Sequence, residues 1–168
     1  MLMIGGGEGM GPLEETVRAV DSAKLDLMMV VVAGRNKDLK NRLENAGLRT
    51  PHEILGFVEN MPNLMNAGDI IITKAGPGTI SEAFSAGLPI ILYSRMPGQE
   101  DGNIDYVLGK GAGVWAPEPG DVVDTLKTWI ENPNLRRKIA GTSKNLARPD
   151  ASRKIAGEII KIVNIDQI

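Results

Sequence analysis

Between positions 70 and 83 an apolar run, Ile70-Ile71-Ile72-Thr73, leads into Lys74-Ala75-Gly76-Pro77-Gly78-Thr79-Ile80-Ser81-Glu82-Ala83. Residue types in this order suit an anion cradle. Gly76 and Gly78 let the backbone approach a ligand with no Cβ in the way. A helix starting near Thr79 offers free N–H groups and the positive end of its dipole, which fits a phosphate or diphosphate. Lys74 adds a cation. Glu82, one turn further, is an anion beside an anion site: a poor phosphate contact, but a good acceptor for the two hydroxyls of a ribose. The competing reading is a plain strand–helix turn with Glu82 in solvent. Lys74, Glu82 and a polar loop after the next strand weigh against it.

That polar loop, Pro97-Gly98-Gln99-Glu100-Asp101-Gly102-Asn103, combines amides and acids. Such groups accept from and donate to the hydroxyls of a sugar ring, although the same composition also suits a solvated surface loop. Phe57-Val58 can offer backbone groups and a flat apolar face to a base, or simply pack a strand end. His52 is the only histidine, so no histidine cluster can form, and its place in a loop or at a strand start gives it no catalytic reading.

A second glycine loop, Gly5-Gly6-Gly7-Glu8-Gly9-Met10-Gly11-Pro12, resembles a dinucleotide fingerprint but fails it. Counting G-x-G-x-x-G from Gly5, Gly7 or Gly9 puts Met10, Pro12 or Glu14 where the last glycine belongs. The acid expected after the second strand is replaced by Arg35, which leaves only a 2′-phosphorylated dinucleotide open. A P-loop fails as well, because Pro12 stands where lysine is required. A purely structural turn remains the simplest competing use of this loop.

These segments must be carried by regular elements. The hydrophobic pattern predicts strands at Met1–Ile4, Asp26–Ala33, Glu53–Val58, Asp69–Thr73, Leu88–Leu92 and Gly113–Trp115. It predicts helices at Leu13–Ala23, Asn36–Ala46, Asn60–Ala67, Thr79–Ala86, from the 97–103 loop to Gly109, and at Asp121–Ile130, Asn134–Asn145 and Asp150–Val163. Wholly apolar strands separated by helices mean right-handed βαβ units and a doubly wound, Rossmann-like parallel α/β sheet of about six strands. Ligands in such sheets bind beyond the carboxyl ends of the strands. The glycine loop, Gly34-Arg35, Phe57-Val58, the stretch from Lys74 to Thr79 and the Gln99–Asn103 loop all follow strands, so they converge on one edge.

Length and composition fit one domain across residues 1–168. The 168 residues, 42% hydrophobic and 24% charged, suffice for a full core. A net charge of −2 argues against a general nucleic-acid binder. The absence of cysteine removes disulfides and thiolate metal sites. No apolar run approaches the length of a membrane span. Eight Lys/Arg between Asn134 and Val163 face only Asp150 and Glu158, which reads as a solvated helix face or as attraction to anionic lipid headgroups.

Taken in order, Met3–Pro12, Gly34-Arg35-Asn36, Gly56-Phe57-Val58, Ile71–Ala83, Gly87–Leu92 and Gly98–Asn103 resemble the monogalactosyldiacylglycerol synthases. These are GT-B glycosyltransferases related to the MurG transferase of peptidoglycan synthesis. The resemblance spans about Met1 to Trp129, and the Lys-Ala-Gly-Pro-Gly-Thr block is its most specific part. It implies the C-terminal half of a GT-B fold, binding UDP-galactose or UDP-glucose for transfer to diacylglycerol in glycolipid synthesis.

Carried over by position, the resemblance implies that Phe57 and Val58 hold uracil and that Glu82 holds the ribose. Lys74, Gly76, Pro77, Gly78, Thr79 and Ile80 carry the diphosphate, helped by Gly7, Glu8 and Gly9. Gln99, Glu100 and Asn103 hold the hexose, with Arg35 near the nucleotide. It implies no cofactor, no metal and no nucleic acid. The acceptor site and the catalytic base belong to an N-terminal half, expected upstream of Met1, so no catalytic residue is expected in this chain and the chain alone is expected to be inactive. The parent enzyme is expected in the cytoplasm, peripheral at a membrane. A stand-alone nucleotide-sugar-binding module is the non-enzymatic alternative. A UDP-N-acetylglucosamine-using relative and a UDP-sugar epimerase complete the alternatives, the last disfavoured by the lone histidine.

Overall fold

The computed structural model describes residues 1–7 and 11–165. Glu8 and Gly9, two of the expected donor contacts, lie outside the described residues. The elements run β1 (Leu2–Ile4), α1 (Leu13–Ser22), β2 (Met29–Val32), α2 (Lys37–Glu44), β3 (His52–Leu55), α3 (Met61–Ala67) and β4 (Ile71–Lys74). They continue with α4 (Pro77–Ala86), β5 (Ile90–Ser94), α5 (Asp101–Gly109), β6 (Gly113–Trp115), α6 (Pro119–Glu131), α7 (Pro133–Leu146) and α8 (Ala151–Ile165). All six strands pair in parallel, in the order β3-β2-β1-β4-β5-β6.

Two apolar layers sandwich this sheet. Met3, Ile72 and Ile91 point to one face, against Leu13 and Val17 of α1, Leu39 and Leu43 of α2, and Leu126 and Trp129 of α6. Leu2, Ile4, Ile71, Ile90 and Leu92 point to the other, against Met65 of α3, Ile80 and Phe84 of α4, and Val107 of α5. Burial on both faces is why these strands read as unbroken apolar runs. Each such side chain taken out of water contributes about 1.5–3 kcal/mol. The expected α/β class, strand number and helices on both faces are all present.

Helix starts differ from the sequence reading in a consistent way. Helices α4, α6 and α7 each begin with proline in the first turn: Pro77, Pro119 and Pro133. Reading proline as part of the preceding turn put each start one or two residues late. Proline suits the first helical position because its missing N–H has no intrahelical acceptor there. Strand β3 stops at Leu55, so Gly56-Phe57-Val58 is a connection and not a strand end. Helix α5 starts at Asp101, which makes Asn103 part of a first helical turn and not of a loop.

At the far end of the chain, Ile155, Ile159 and Ile162 of α8 are each more than half exposed. The basic tract is partly structural. Lys144 of α7 donates to the Ser85 carbonyl in the last turn of α4, where a cation also meets the negative dipole end. Among the described residues no helix is long and apolar enough to cross a membrane.

Candidate functional site

Strands β1 and β4 are neighbours, with Ile4 paired to Thr73. The helix after β1 packs on one face of the sheet and the helix after β4 on the other. Their connections therefore part at the carboxyl edge and open a crevice, the usual ligand position in a doubly wound sheet. Just there the β4–β5 register slips: Thr73 faces Leu92 but Lys74 faces Ser94. Such a bulge re-aims a side chain. A methyl built on Gly6 would sit 3.9 Å from Lys74 Nζ, so the ammonium lies over the first glycine turn.

Gly76 is the N-cap of α4 and supplies no side-chain cap. Pro77 has no N–H, and the Ile80 N–H already bonds the Gly76 carbonyl at 3.1 Å. The Gly78 and Thr79 N–H groups are left to face the crevice. A Cβ on Gly78 would meet nothing within 4 Å, so this glycine keeps space open beside those donors. The side chain of Ile80, expected among the diphosphate contacts, is 4% exposed and packs in the core, so only its backbone is placed at the turn.

The base-side wall is held by a tight glycine crossing. Gly34 has φ of +64° and lies against the first loop so closely that a Cβ would fall 2.4 Å from the Gly7 carbonyl oxygen. The Arg35 N–H donates to that same carbonyl at 2.8 Å. The Arg35 guanidinium stacks over the Phe57 ring, 4.6 Å from its centre. Asn36 caps α2 by accepting from the Leu39 N–H at 2.9 Å. Gly6, Gly7, Phe57, Val58, Thr79 and Glu82 together line a cleft of about 180 Å³, with Ile4, Val32, Gly34 and Met61 as its floor and sides. Met61 borders this cleft because α3 begins shortly after the Phe57 turn.

Across the crevice, the segment before α5 folds on its own polar groups. The Met96 N–H donates to Glu100 Oε2 at 2.6 Å. The Gly98 N–H donates to Asp101 Oδ2 at 2.8 Å. Asn103 Nδ2 donates to the Ala75 carbonyl at 2.8 Å, which leaves its second N–H and its oxygen for a ligand. A methyl on Gly76 would lie 3.7 Å from Glu100 Oε1, which places that carboxylate at the rim of the diphosphate turn. Gln99 is exposed. His52 begins β3, at the opposite edge of the sheet, with Nδ1 2.8 Å from the Thr50 carbonyl oxygen. Among the described residues, no three His, Cys, Asp or Glu side chains come together as metal ligands.

The arrangement pairs an aromatic and backbone wall with a carboxylate, helix N–H groups and a lysine, in that order along one edge. A model of the glycosyl transferases group 1 family matches residues 3–146. The chain belongs to that family. Over 170 residues it is 42% identical to a probable monogalactosyldiacylglycerol synthase 2, chloroplastic, of Oryza sativa subsp. japonica, covering 96% of this chain and 36% of the rice protein. The chain thus spans about a third of the length of the curated relatives it matches. Among solved structures, Acinetobacter baumannii MurG superimposes with a TM-score of 0.78 at 21% identity, over 95% of this chain and 48% of MurG. The S. aureus MnaA–UDP co-structure superimposes with a TM-score of 0.77 at 18% identity, over 97% and 45%. At these identities the structural likeness speaks for the fold, the Rossmann-like half of a GT-B glycosyltransferase.

Proposed function

We propose that this chain binds the UDP-hexose donor of a glycosyltransferase that builds a glycolipid, with galactose as the hexose and diacylglycerol as the acceptor. The observation that carries the reading is the single cleft joining Phe57 and Val58 to Thr79 and Glu82. A planar base against Phe57 and Val58 puts a ribose within reach of Glu82 and a diphosphate at the start of α4. The 42% identity to a galactolipid synthase supports the choice of sugar and acceptor. The acceptor hydroxyl attacks the anomeric carbon as the bond to UDP breaks. In this reading the chain's own share is to hold the donor and to meet the charge growing on departing UDP with the Gly78 and Thr79 N–H groups and Lys74. The acceptor site and the base that takes the hydroxyl proton belong to a further half of a longer enzyme. An insoluble lipid acceptor places that enzyme at a bilayer surface.

Isothermal titration calorimetry with UDP tests the reading directly. Micromolar to millimolar binding is expected, unchanged by EDTA because the contacts assigned here involve no metal. A folded chain giving no heat with UDP or any UDP-hexose would falsify it. A screen of UDP-galactose, UDP-glucose and UDP-N-acetylglucosamine by saturation-transfer NMR then ranks the donors. An epimerase reading is disfavoured by the position of His52, at the wrong end of the sheet for this crevice.

A further inference from the structure

The segment between β5 and α5 needs something to hold it against the sheet. On its inner side the Asn103–Ala75 bond does this. On its outer side the work falls to Arg95, which none of the sugar-binding expectations included. Arg95 forms an ion pair with Asp101 Oδ1. Its guanidinium also lies 5.4 Å from the centre of the Trp115 ring, in β6. Asp101 is engaged twice, since its other oxygen accepts from the Gly98 N–H. Gly98 itself sits at φ +80°, a conformation that the Asp101 contact stabilises. Trp115, half-buried and packed against the core, is the fixed end of this chain of contacts.

We propose that Arg95 and Asp101, braced on Trp115, are positioning residues for the hexose of the donor: they set the shape of the 95–100 segment and so the place of Gln99 and Glu100. The proposal rests on the UDP-hexose reading. Neither residue touches the sugar; both act through the loop. With Arg95 gone, Asp101 keeps one partner, the loop loses its contact with Trp115, and Glu100 is held only through the Met96 N–H and the Asn103–Ala75 bond. The effect is confined to one end of the donor by topology. Phe57 follows β3 and the loop follows β5, four strand intervals apart in the sheet order, roughly 19 Å at the usual spacing. The base and ribose contacts sit on one side of the crevice and the loop on the other.

The test compares UDP with UDP-galactose and UDP-glucose by calorimetry on the whole chain and on Arg95→Ala, Asp101→Asn and Arg95→Lys. In the Ala and Asn variants, UDP affinity stays within about twofold. The ratio of UDP-hexose to UDP dissociation constants rises about fivefold, as expected for loss of one charge-assisted contact. Arg95→Lys keeps the ion pair and recovers part of the ratio. Arg95 is 39% exposed, so thermal unfolding should shift by no more than a few degrees. Amide hydrogen exchange of the ligand-free variants gives a second readout: faster exchange at residues 96–100, with residues 33–36 and 56–58 unchanged. An unaltered ratio, equal losses for UDP and UDP-hexose, or an unchanged exchange pattern each overturns the proposal. Failure of the unmodified chain to bind UDP instead overturns the donor reading, and loop bracing is then decided by exchange alone.

Discussion

Asn103 Nδ2 donates to the Ala75 carbonyl across 28 residues of sequence, at 2.8 Å. The bond ties the first turn of α5 to the turn between β4 and α4, and so joins the two segments proposed for hexose and diphosphate. Replacing Asn103 by alanine leaves the carbonyl of the buried Ala75 without this donor. A loss of about 1 kcal/mol in urea unfolding is expected, typical of one intramolecular hydrogen bond. Asn103→Asp should cost more, because a carboxylate then faces a carbonyl oxygen. An Asn103→Ala variant as stable as the unmodified chain would show that the bond contributes nothing.

Glu82 is exposed on α4 and shares the cleft with Phe57. Glu82→Gln keeps the size and removes the charge that favours ribose hydroxyls. UDP and uridine should each lose about tenfold in affinity or more, whereas uracil should lose almost nothing. Phe57→Ala should weaken all three, since base–aromatic contact is worth about 1–3 kcal/mol. NMR titration of the three ligands against both variants reads this pattern. Parallel losses for uracil and uridine in Glu82→Gln would remove Glu82 from the ribose role.

Gly34 is a position where a side chain has almost no room. At φ +64°, with the Gly7 and Gly6 carbonyl oxygens 2.4 and 2.5 Å from a Cβ position, alanine must displace the first glycine loop. Gly34→Ala should destabilise by about 2 kcal/mol or more in urea. It should also lower nucleotide affinity by moving Arg35 and Gly7. A stable, fully binding Gly34→Ala would mean that the crossing is far softer than the close approach implies.

Tyr93 is 2% exposed, its hydroxyl 3.4 Å from the Ile4 carbonyl oxygen. Burial, with a smaller contribution from Glu15, pushes its ionisation well above the usual tyrosine range. The sign follows from linkage. Above pH 10 the unfolded chain can release this proton and the folded chain holds it, so stability falls as pH rises past the unfolded value. Tyr93→Phe should flatten that alkaline loss in chemical denaturation between pH 9 and 11, at a small cost at neutral pH. The same slope in both proteins would assign the loss to other groups.

Much of the fold was legible because it rests on local pattern. Strand cores such as Ile70–Ile72 and Leu88–Leu92 are apolar at every position, and only a sheet covered on both faces requires that. The glycine-rich connections following those strands had to meet at one edge. Asn36 announced its cap, since its side chain needs only the amide three residues on. The helix starts at Pro77, Pro119 and Pro133 were hidden for a local reason too: proline serves equally in a turn and in a first helical position.

Which residues of that edge touch was decided by the tertiary structure. Nothing near position 103 announces that Asn103 spends its amide on Ala75, or that Glu100 turns back to Met96. Nothing near position 95 announces Trp115. Ile80, two residues past Gly78, could face ligand or core from sequence, and packing against Phe84 and Ile104 assigned it to the core. Residue types and spacing along the chain determined the chemistry this edge could offer, because those choices are made within a turn or two of helix. Sheet order and packing decided which donors remain available, because a polar group's partner is chosen by whatever the fold brings within 3 Å, often from tens of residues away.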